Sequence, residues 1–356
     1  MKKRIAFILG GMKRGGAERV ISILANHYVE MGWDVNIIML LNNKVEYKLA
    51  PEVNFVDLSD ENKSRWAMVP YWLKGIRGYI KNFHPDILMS FAARINLLTI
   101  IAKAFIKVPL IISERNDPKA DTRGHLAKMM IPFLYPLADK IVFQTEYAKS
   151  CFTKHIRENG VIIYNPIAVM SKASDEKAKK IVNVGRLDVQ KNQRLLIRAF
   201  ARISEKYPDY ILQIYGEGKL REELQQLIEE LGLTEKVFLM GNILDIHEKI
   251  RDAEMFVLSS DYEGFSNALL EALLMGIPCI STTCAGSTEI INDGENGLLV
   301  PINDIYALTE AMMKLIEDKE LAKKLGENAL NINNLVGEDI VVGKWDKLIF
   351  DTVKIV

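Results

Sequence analysis

The chain has little cysteine: Cys151, Cys279 and Cys284 are an odd number without metal-ligand spacing. A disulfide framework and a cysteine-held metal are thereby excluded as organising devices, and a reducing, cytoplasmic setting is expected. Net charge is also missing, 46 Lys and Arg facing 46 Asp and Glu, so a nucleic-acid partner is not expected. No apolar run approaches the roughly 18 residues of a spanning helix. The longest, residues 96–102 and 108–112, have the length of strands or core helices. Residues 1–12 place Lys2, Lys3 and Arg4 before a short apolar run, as a signal peptide would. Lys13 and Arg14 follow without a small-residue cleavage site, so the segment reads as a first strand. The five histidines, His27, His84, His125, His155 and His247, never pair at metal-ligand spacing and are expected as surface or core residues. Low-complexity segments and short-period repeats are absent too.

What is present is a large, ordinary globular composition: 356 residues, 49% hydrophobic, 26% charged and 8% aromatic. Single cores usually stop growing at about 250–300 residues, so two domains are expected. The charge divides unevenly. Residues 1–170 hold 24 Lys and Arg against 15 Asp and Glu, whereas residues 171–356 hold 22 against 31. The front half therefore carries a field that would attract phosphates or an anionic membrane surface, although evenly solvated lysines would give the same count.

Continuous apolar runs alternate with helical spacing along the whole chain. Strands are predicted at residues 5–9, 34–41, 86–90, 110–113 and 140–144, with helices at 17–31, 70–83, 97–105 and 125–135 between them. The pattern restarts at 181–184 and runs through strands at 210–215, 237–240, 255–259 and 278–281. Such alternation implies parallel sheets covered on both faces, with ligands outside the carboxyl ends of the strands. The expected fold is α/β: two facing doubly wound, Rossmann-like domains with an interdomain cleft, residues 1–170 and 171–340. The polar stretch 171–180 is expected as linker.

Three segments carry chemistry. Gly10-Gly11 and Gly15-Gly16 flank Met12-Lys13-Arg14 before the first helix, where bare amides could approach an anion or sugar. They match neither the dinucleotide fingerprint nor the P-loop, and would equally serve a turn that lets the helix pack. Gly185-Arg186-Leu187-Asp188 with Lys191-Asn192 sets two cations about five residues apart at a strand end, an arrangement suited to a diphosphate. In residues 261–272, Ser266 or Asn267 reads as a helix cap, with Gly276 and Pro278 as the stop. Glu263 then lies in the loop before a short helix and Glu271 about one turn inside it. Side chains tilt toward the helix N-terminus, so Glu271 can reach a ribose while free amides near Ser266 and Asn267 meet phosphate.

Gly185-Arg186-Leu187 with Lys191-Asn192, Gly216-Glu217-Gly218, the glutamates eight apart at Glu263 and Glu271, and Asp293-Gly294-x-x-Gly297 resemble retaining family-4 glycosyltransferases of the GT-B fold. Gly15-Gly16-Ala17-Glu18-Arg19 and Ser113-Glu114-Arg115-Asn116 resemble front-domain loops of the bacterial surface-polysaccharide members. The resemblance implies a hexosyl or N-acetylhexosaminyl transfer from a UDP-sugar held mainly by the C-terminal domain. The acceptor, a glycan or polyprenyl-diphosphate-linked glycan, would sit on the N-terminal domain. Arg186 and Lys191 would contact the diphosphate, Glu263 the sugar and Glu271 the ribose. Gly16, Asn165, Gly185, Gly216, Glu217, Gly218, Gly264, Phe265, Ser266 and Asn267 would complete the donor side, with Gly15, Glu114 and Arg115 on the acceptor or phosphate side. Several relatives have histidine where this chain has Arg115, which here would neutralise a phosphate. No Asp-x-Asp occurs, so no metal and no cofactor are expected. Helix 341–356 is expected to cross back to the front domain.

Two front-domain segments combine cations with apolar bulk. Residues 65–81 form a basic amphipathic stretch with Trp66 and Trp72, and residues 123–135 add Lys128, Met129, Met130, Phe133 and Leu134. They predict peripheral association with the inner face of the cell membrane, or else helices packed on the sheet. Two rival readings are a sugar-nucleotide epimerase of the same fold, against which the Glu263/Glu271 arrangement argues, and a non-catalytic sugar-nucleotide-binding subunit, against which intact Arg186, Lys191, Glu263 and Glu271 argue.

Overall fold

The computed structural model describes residues 2–13, 15–60, 65–115, 124–167 and 171–354. Arg14, Asn116 and Arg123, and the side chains of Arg65 and Trp66, lie outside the described residues. Two units divide the chain, Met1–Pro166 with Asp339–Val356, and Ile167–Glu338.

The first unit is built on seven parallel strands: β1 (Arg4–Leu9), β2 (Asp34–Met39), β3 (Asn54–Asp57), β4 (Ile87–Phe91), β5 (Leu110–Ser113), β6 (Lys140–Phe143) and β7 (Gly160–Ile162). Their order is β3-β2-β1-β4-β5-β6-β7. Strand β1 explains why its sequence is apolar without alternation. Ile5, Phe7 and Leu9 enter one core, while Ala6 and Ile8 enter the core of the other face. The closing helix Glu338–Lys354 supplies Val341, Trp345, Leu348 and Ile349 to the same core as Ile5, Phe7 and Tyr28. On its polar edge Asp346 accepts from the Tyr28 hydroxyl at 2.7 Å and lies 3.0 Å from His27 Nε2.

The second unit has six parallel strands: β8 (Ala178–Val184), β9 (Ile211–Tyr215), β10 (Val237–Gly241), β11 (Ala253–Leu258), β12 (Cys279–Thr282) and β13 (Leu298–Val300). The order β10-β9-β8-β11-β12-β13 reverses direction between β8 and β11, as the first sheet does between β1 and β4. Binding crevices open at such reversals, outside the strand carboxyl ends.

Three expectations are corrected. Residues 171–180 are not a linker: Ala173 N–H donates to Met275 O and Ser174 N–H to Arg251 O, each at 2.7 Å, and Ala178 already begins β8. The edge strands β3 and β13 were not foreseen, because four and three residues give too short a pattern to register. Helix Arg65–Phe83 packs on the sheet through Met68, Ile76 and Ile80, which are buried, while Val69 and Tyr71 are exposed. Trp72 donates its indole N–H to Leu58 O, and Arg77 donates to the carbonyls of Ala102 and Ala104, so both are structural groups. Helix His125–Leu134 does the opposite: Leu126, Met129 and Phe133 on one face are 68%, 68% and 77% exposed. Among the described residues no helix is long and apolar enough to cross a membrane.

Candidate active site

The reversal point of the second sheet gathers the residues singled out above. Beyond β8 the chain makes a turn, Val189–Lys191, whose start is capped by the Asp188 carboxylate. Asn192 then takes the left-handed conformation, φ 44°, and its side-chain oxygen caps helix Gln193–Lys206 by accepting from Leu195 N–H at 3.2 Å. Asparagine tolerates that conformation and caps at once. Gln193 Nε2 holds the Arg186 carbonyl at 2.9 Å. The Arg186 side chain itself is 74% exposed and lies 3.4 Å from Asp188.

Lys191 behaves differently. Its stem lies over Gly185 and its ammonium donates to Glu263 Oε2, with the two side chains only 12% and 11% exposed. Ser260 Oγ approaches the same carboxylate oxygen at 3.4 Å. The loop after β11 is stitched to the loop after β8 by Asp261 N–H to Gln190 O, Gln190 Nε2 to Tyr262 O and Ser259 Oγ to Lys191 O. Thr282 Oγ1 at the end of β12 and Cys284 Sγ just after it both donate to Ser260 O, and burial pushes the Cys284 thiol up. These braces fix where Glu263 and Lys191 meet.

Close backbone approach explains the glycines. At Gly216, φ is 137° and a Cβ would stand 2.0 Å from Gly185 O; at Gly218 one would stand 2.2 Å from Leu187 O. The loops after β8 and β9 therefore interlock with bare backbone facing the crevice. Glu217 pairs with Arg221 at 2.8 Å. Gly264 and Phe265 lie against Gly286, whose N–H donates to Glu263 O at 3.0 Å. Ser266 caps helix Asn267–Met275, and Gly276 ends it at φ 79°. Glu271, in the second turn, lies 3.3 Å from His247 Nε2. His247 was expected as an ordinary surface or core residue, and no spacing in the sequence could have paired it with Glu271.

In the first unit, Gly15 N–H and C=O both bond to the Tyr47 hydroxyl, at 3.1 and 2.8 Å. Gly16 opens helix Gly16–Glu30, and the Glu18 carboxylate folds back over Gly15, its pKa raised by burial. Arg115 Nη1 donates to Asn165 Oδ1 at 2.6 Å, an oxygen that Gln144 Nε2 also reaches at 2.7 Å. The guanidinium sits 5.0 Å from the Phe91 ring centre and 6.0 Å from that of Trp345, while Nε and Nη2 are buried without a hydrogen-bond partner. Burial lowers its pKa to about 9, so it stays cationic at neutral pH. Glu114 is turned inward and accepts from the Tyr135 hydroxyl at 2.8 Å. Asn165 is thereby tied to Arg115 and Gln144 within the first unit. Among the described residues no group of three or more His, Cys, Asp or Glu could hold a metal ion.

Comparison with known proteins points one way. Residues 168–331 match the family described as glycosyl transferases group 1, and residues 14–169 match glycosyltransferase family 4. The chain is 30% identical to the Campylobacter jejuni N-acetylgalactosamine-N,N'-diacetylbacillosaminyl-diphospho-undecaprenol 4-alpha-N-acetylgalactosaminyltransferase, over 90% of this chain and 92% of that one. It is 28% identical, over 92% of both chains, to a second Campylobacter jejuni protein, a GalNAc-alpha-(1->4)-GalNAc-alpha-(1->3)-diNAcBac-PP-undecaprenol alpha-1,4-N-acetyl-D-galactosaminyltransferase. Among solved structures, Anabaena Alr3699/HepE in complex with UDP superposes with a TM-score of 0.85 at 19% identity, covering 99% of this chain and all of that one.

Proposed function

Since this chain belongs to the group 1 and family 4 glycosyltransferases, with the GT-B fold, we infer that it transfers a hexose or N-acetylhexosamine from a UDP-sugar to a lipid-linked glycan. The donor is assigned to the second unit and the acceptor to the first. The observation that carries this reading is the Lys191–Glu263 pair at the β8/β11 reversal, with the mostly exposed Arg186 alongside. A leaving diphosphate needs cations that can follow its growing charge, and Arg186 offers a planar fork where Lys191 offers a point charge. Glu263, held by Lys191 and Ser260, is a fixed anion for a donor sugar whose anomeric carbon becomes oxocarbenium-like. With the cations and bare amides supplying electrophilic assistance, the reaction proceeds without metal and with retention at the anomeric carbon.

Glu271 is assigned to the ribose and the Gly216–Gly218 loop to the nucleotide. Arg115 is assigned to an acceptor-side phosphate; its unpartnered Nε and Nη2 support this. The relatives named for diphospho-undecaprenol substrates support a polyprenyl-diphosphate acceptor. Such a substrate stays in the membrane, so the enzyme is proposed to act at the inner face of the cell membrane, peripherally, through helix His125–Leu134. The deciding experiment is transfer from radiolabelled UDP-sugars to a diphospho-undecaprenol glycan, with stereochemistry assigned by NMR. Turnover of the nucleotide sugar without acceptor, yielding an epimer, would overturn the reading.

A further inference from the structure

Phenylalanine suits neither a left-handed backbone nor open water, and Phe105 has both. Helix Ala93–Lys103 ends in a tight turn: Ala104 has φ −48° and ψ 131°, Phe105 has φ 65°, and Ile106 N–H closes on Lys103 O at 2.8 Å. That is the geometry of a type II turn, whose third residue is ordinarily glycine or asparagine. Phe105 stands there under strain with its side chain fully exposed. The turn is held firmly. Arg77 Nη1 donates to the carbonyls of Ala102 and Ala104 at 2.9 and 2.7 Å, and Lys103 Nζ donates to Val108 O at 2.7 Å. A stiff turn therefore displays a bare ring at a position where fold stability alone favours glycine.

The surroundings extend an apolar row. Lys103 Nζ also lies 3.4 Å from Asp139 Oδ2, which accepts from Leu110 N–H at 2.7 Å. Phe105 is two residues beyond one end of that ion pair, and Leu137, 60% exposed, is two residues before the other. Leu137 in turn continues Leu126, Met129 and Phe133 at helical spacing through the turn Tyr135–Leu137. Residues 74–107 hold Lys74, Arg77, Lys81, Arg94, Lys103 and Lys107 against the single acid Asp86, and Lys107 beside the ring is exposed. An apolar tip among cations matches anionic lipid, whereas a second copy would bring like charges together.

We propose that Phe105 is a membrane-inserting residue: the Lys103–Ile106 turn places its ring in the acyl boundary of an anionic bilayer, lengthening the contact of helix His125–Leu134. This rests on the reading of the protein as peripherally membrane-bound. The ring leaves water on binding, and a turn already fixed has little freedom left to lose, so the bilayer offsets what strain and exposure cost the fold in water. Lys107 stays at the level of the headgroups.

The test is flotation of the full-length chain with vesicles of phosphatidylglycerol and phosphatidylcholine, and of phosphatidylcholine alone, with urea midpoints in parallel. Phe105→Gly is expected to lower partition onto the anionic vesicles roughly three- to tenfold and to leave the midpoint unchanged or higher, since glycine relieves the turn. Phe105→Trp is expected to keep the partition and to add emission that shifts to the blue with anionic vesicles only. If the unaltered protein does not float with anionic vesicles at low salt, the peripheral reading fails and this inference with it. If it floats while Phe105→Gly floats equally, or Phe105→Trp shows no shift, the helix contact stands and the role of Phe105 is overturned. The role is overturned too if the unaltered protein sediments as a dimer that Phe105→Gly dissociates, because the ring then covers a second copy.

Discussion

Lys191 donates its ammonium to Glu263 from the opposite side of the β8/β11 reversal, and both side chains are almost entirely shielded from solvent. Each residue therefore sets the electrostatic surroundings of the other, and a change at one is felt at both. Glu263→Gln retains size and a carbonyl acceptor for Lys191 while removing the charge. Its expected outcome is a kcat reduced about 10²–10³-fold, with nucleotide affinity altered less than about tenfold, because the anion matters most as positive charge grows on the sugar. Steady-state kinetics beside UDP calorimetry check it; lost affinity with an intact maximal rate would assign Glu263 elsewhere.

The two proposed diphosphate cations should separate in stability though not in activity. Arg186 is mostly exposed, so Arg186→Ala should leave the urea midpoint within about 0.5 kcal/mol of the parent while lowering turnover by about 10² or more. Lys191→Ala should lower turnover comparably and also destabilise by about 3 kcal/mol, because it strands Glu263 without its cation. Equal stability losses, or normal rates in both variants, would contradict the assignment. Activity should persist in EDTA; full loss restored by magnesium or manganese would show that the cations do not suffice.

Much of this was legible in the residues. Unbroken apolar runs such as that of β1 announce strands buried on both faces, and Ser266 and Gly276 mark both ends of one helix by their capping chemistry. The Arg186, Lys191, Glu263 and Glu271 spacings identified the strand-end loops. What spacing could not supply was pairing across elements. Nothing in the chain tells that Lys191 meets Glu263 seventy-two residues away, that His247 meets Glu271, or that Arg115 settles on Asn165. Amphipathic pattern likewise cannot say which way a helix faces: Trp72 and Arg77 looked like membrane anchors and are tied to carbonyls instead. Edge strands β3 and β13, at four and three residues, lie below the length at which alternation can be read.

Gly216 is a position where any side chain collides with backbone. Gly216→Ala must place a Cβ 2.0 Å from Gly185 O at a φ of 137°, so the β8 and β9 loops have to separate. A loss of about 2 kcal/mol or more and weakened UDP binding are expected. Gly232→Ala, also at positive φ but with nothing within 4 Å, should cost about 1 kcal/mol and leave UDP binding alone. Comparable binding defects in the two would remove the loop contact from the argument.

Tyr28 gives the closing helix a pH signature. Burial, then the hydrogen bond to Asp346, raises the phenol above its ordinary value, so the fold favours the protonated form. Its contribution is fully present below the unfolded phenol pKa of about 10 and is lost as pH rises beyond it. Tyr28→Phe should therefore be less stable than the parent at pH 8 by about 1 kcal/mol, the gap narrowing above pH ~10. Other buried tyrosines titrate in both proteins, so the difference between urea midpoints is the quantity to follow. A gap constant from pH 8 to 11 would show that the phenol contributes by packing alone.

Membrane contact is predicted for helix His125–Leu134 rather than for Arg65–Phe83. The outward face of the former presents Leu126, Met129 and Phe133, an apolar row at helical spacing beside Lys128, whereas the latter commits Met68, Ile76 and Ile80 to the core and ties Trp72 to the Leu58 carbonyl. A short row of this kind binds only weakly by burial, so attraction of cations to anionic headgroups, about 1 kcal/mol each, has to contribute. The protein should therefore float with anionic vesicles at low salt, less at high salt, and not with neutral ones. Leu126→Ser, Met129→Ser and Phe133→Ser together should abolish flotation without lowering the urea midpoint, since none of the three is buried. Lys74→Glu with Lys81→Glu should weaken it only through charge; Arg77 is left in place because it holds the carbonyls of Ala102 and Ala104. Flotation unchanged in the triple variant, or absent in the parent at low salt, would move the contact away from this helix.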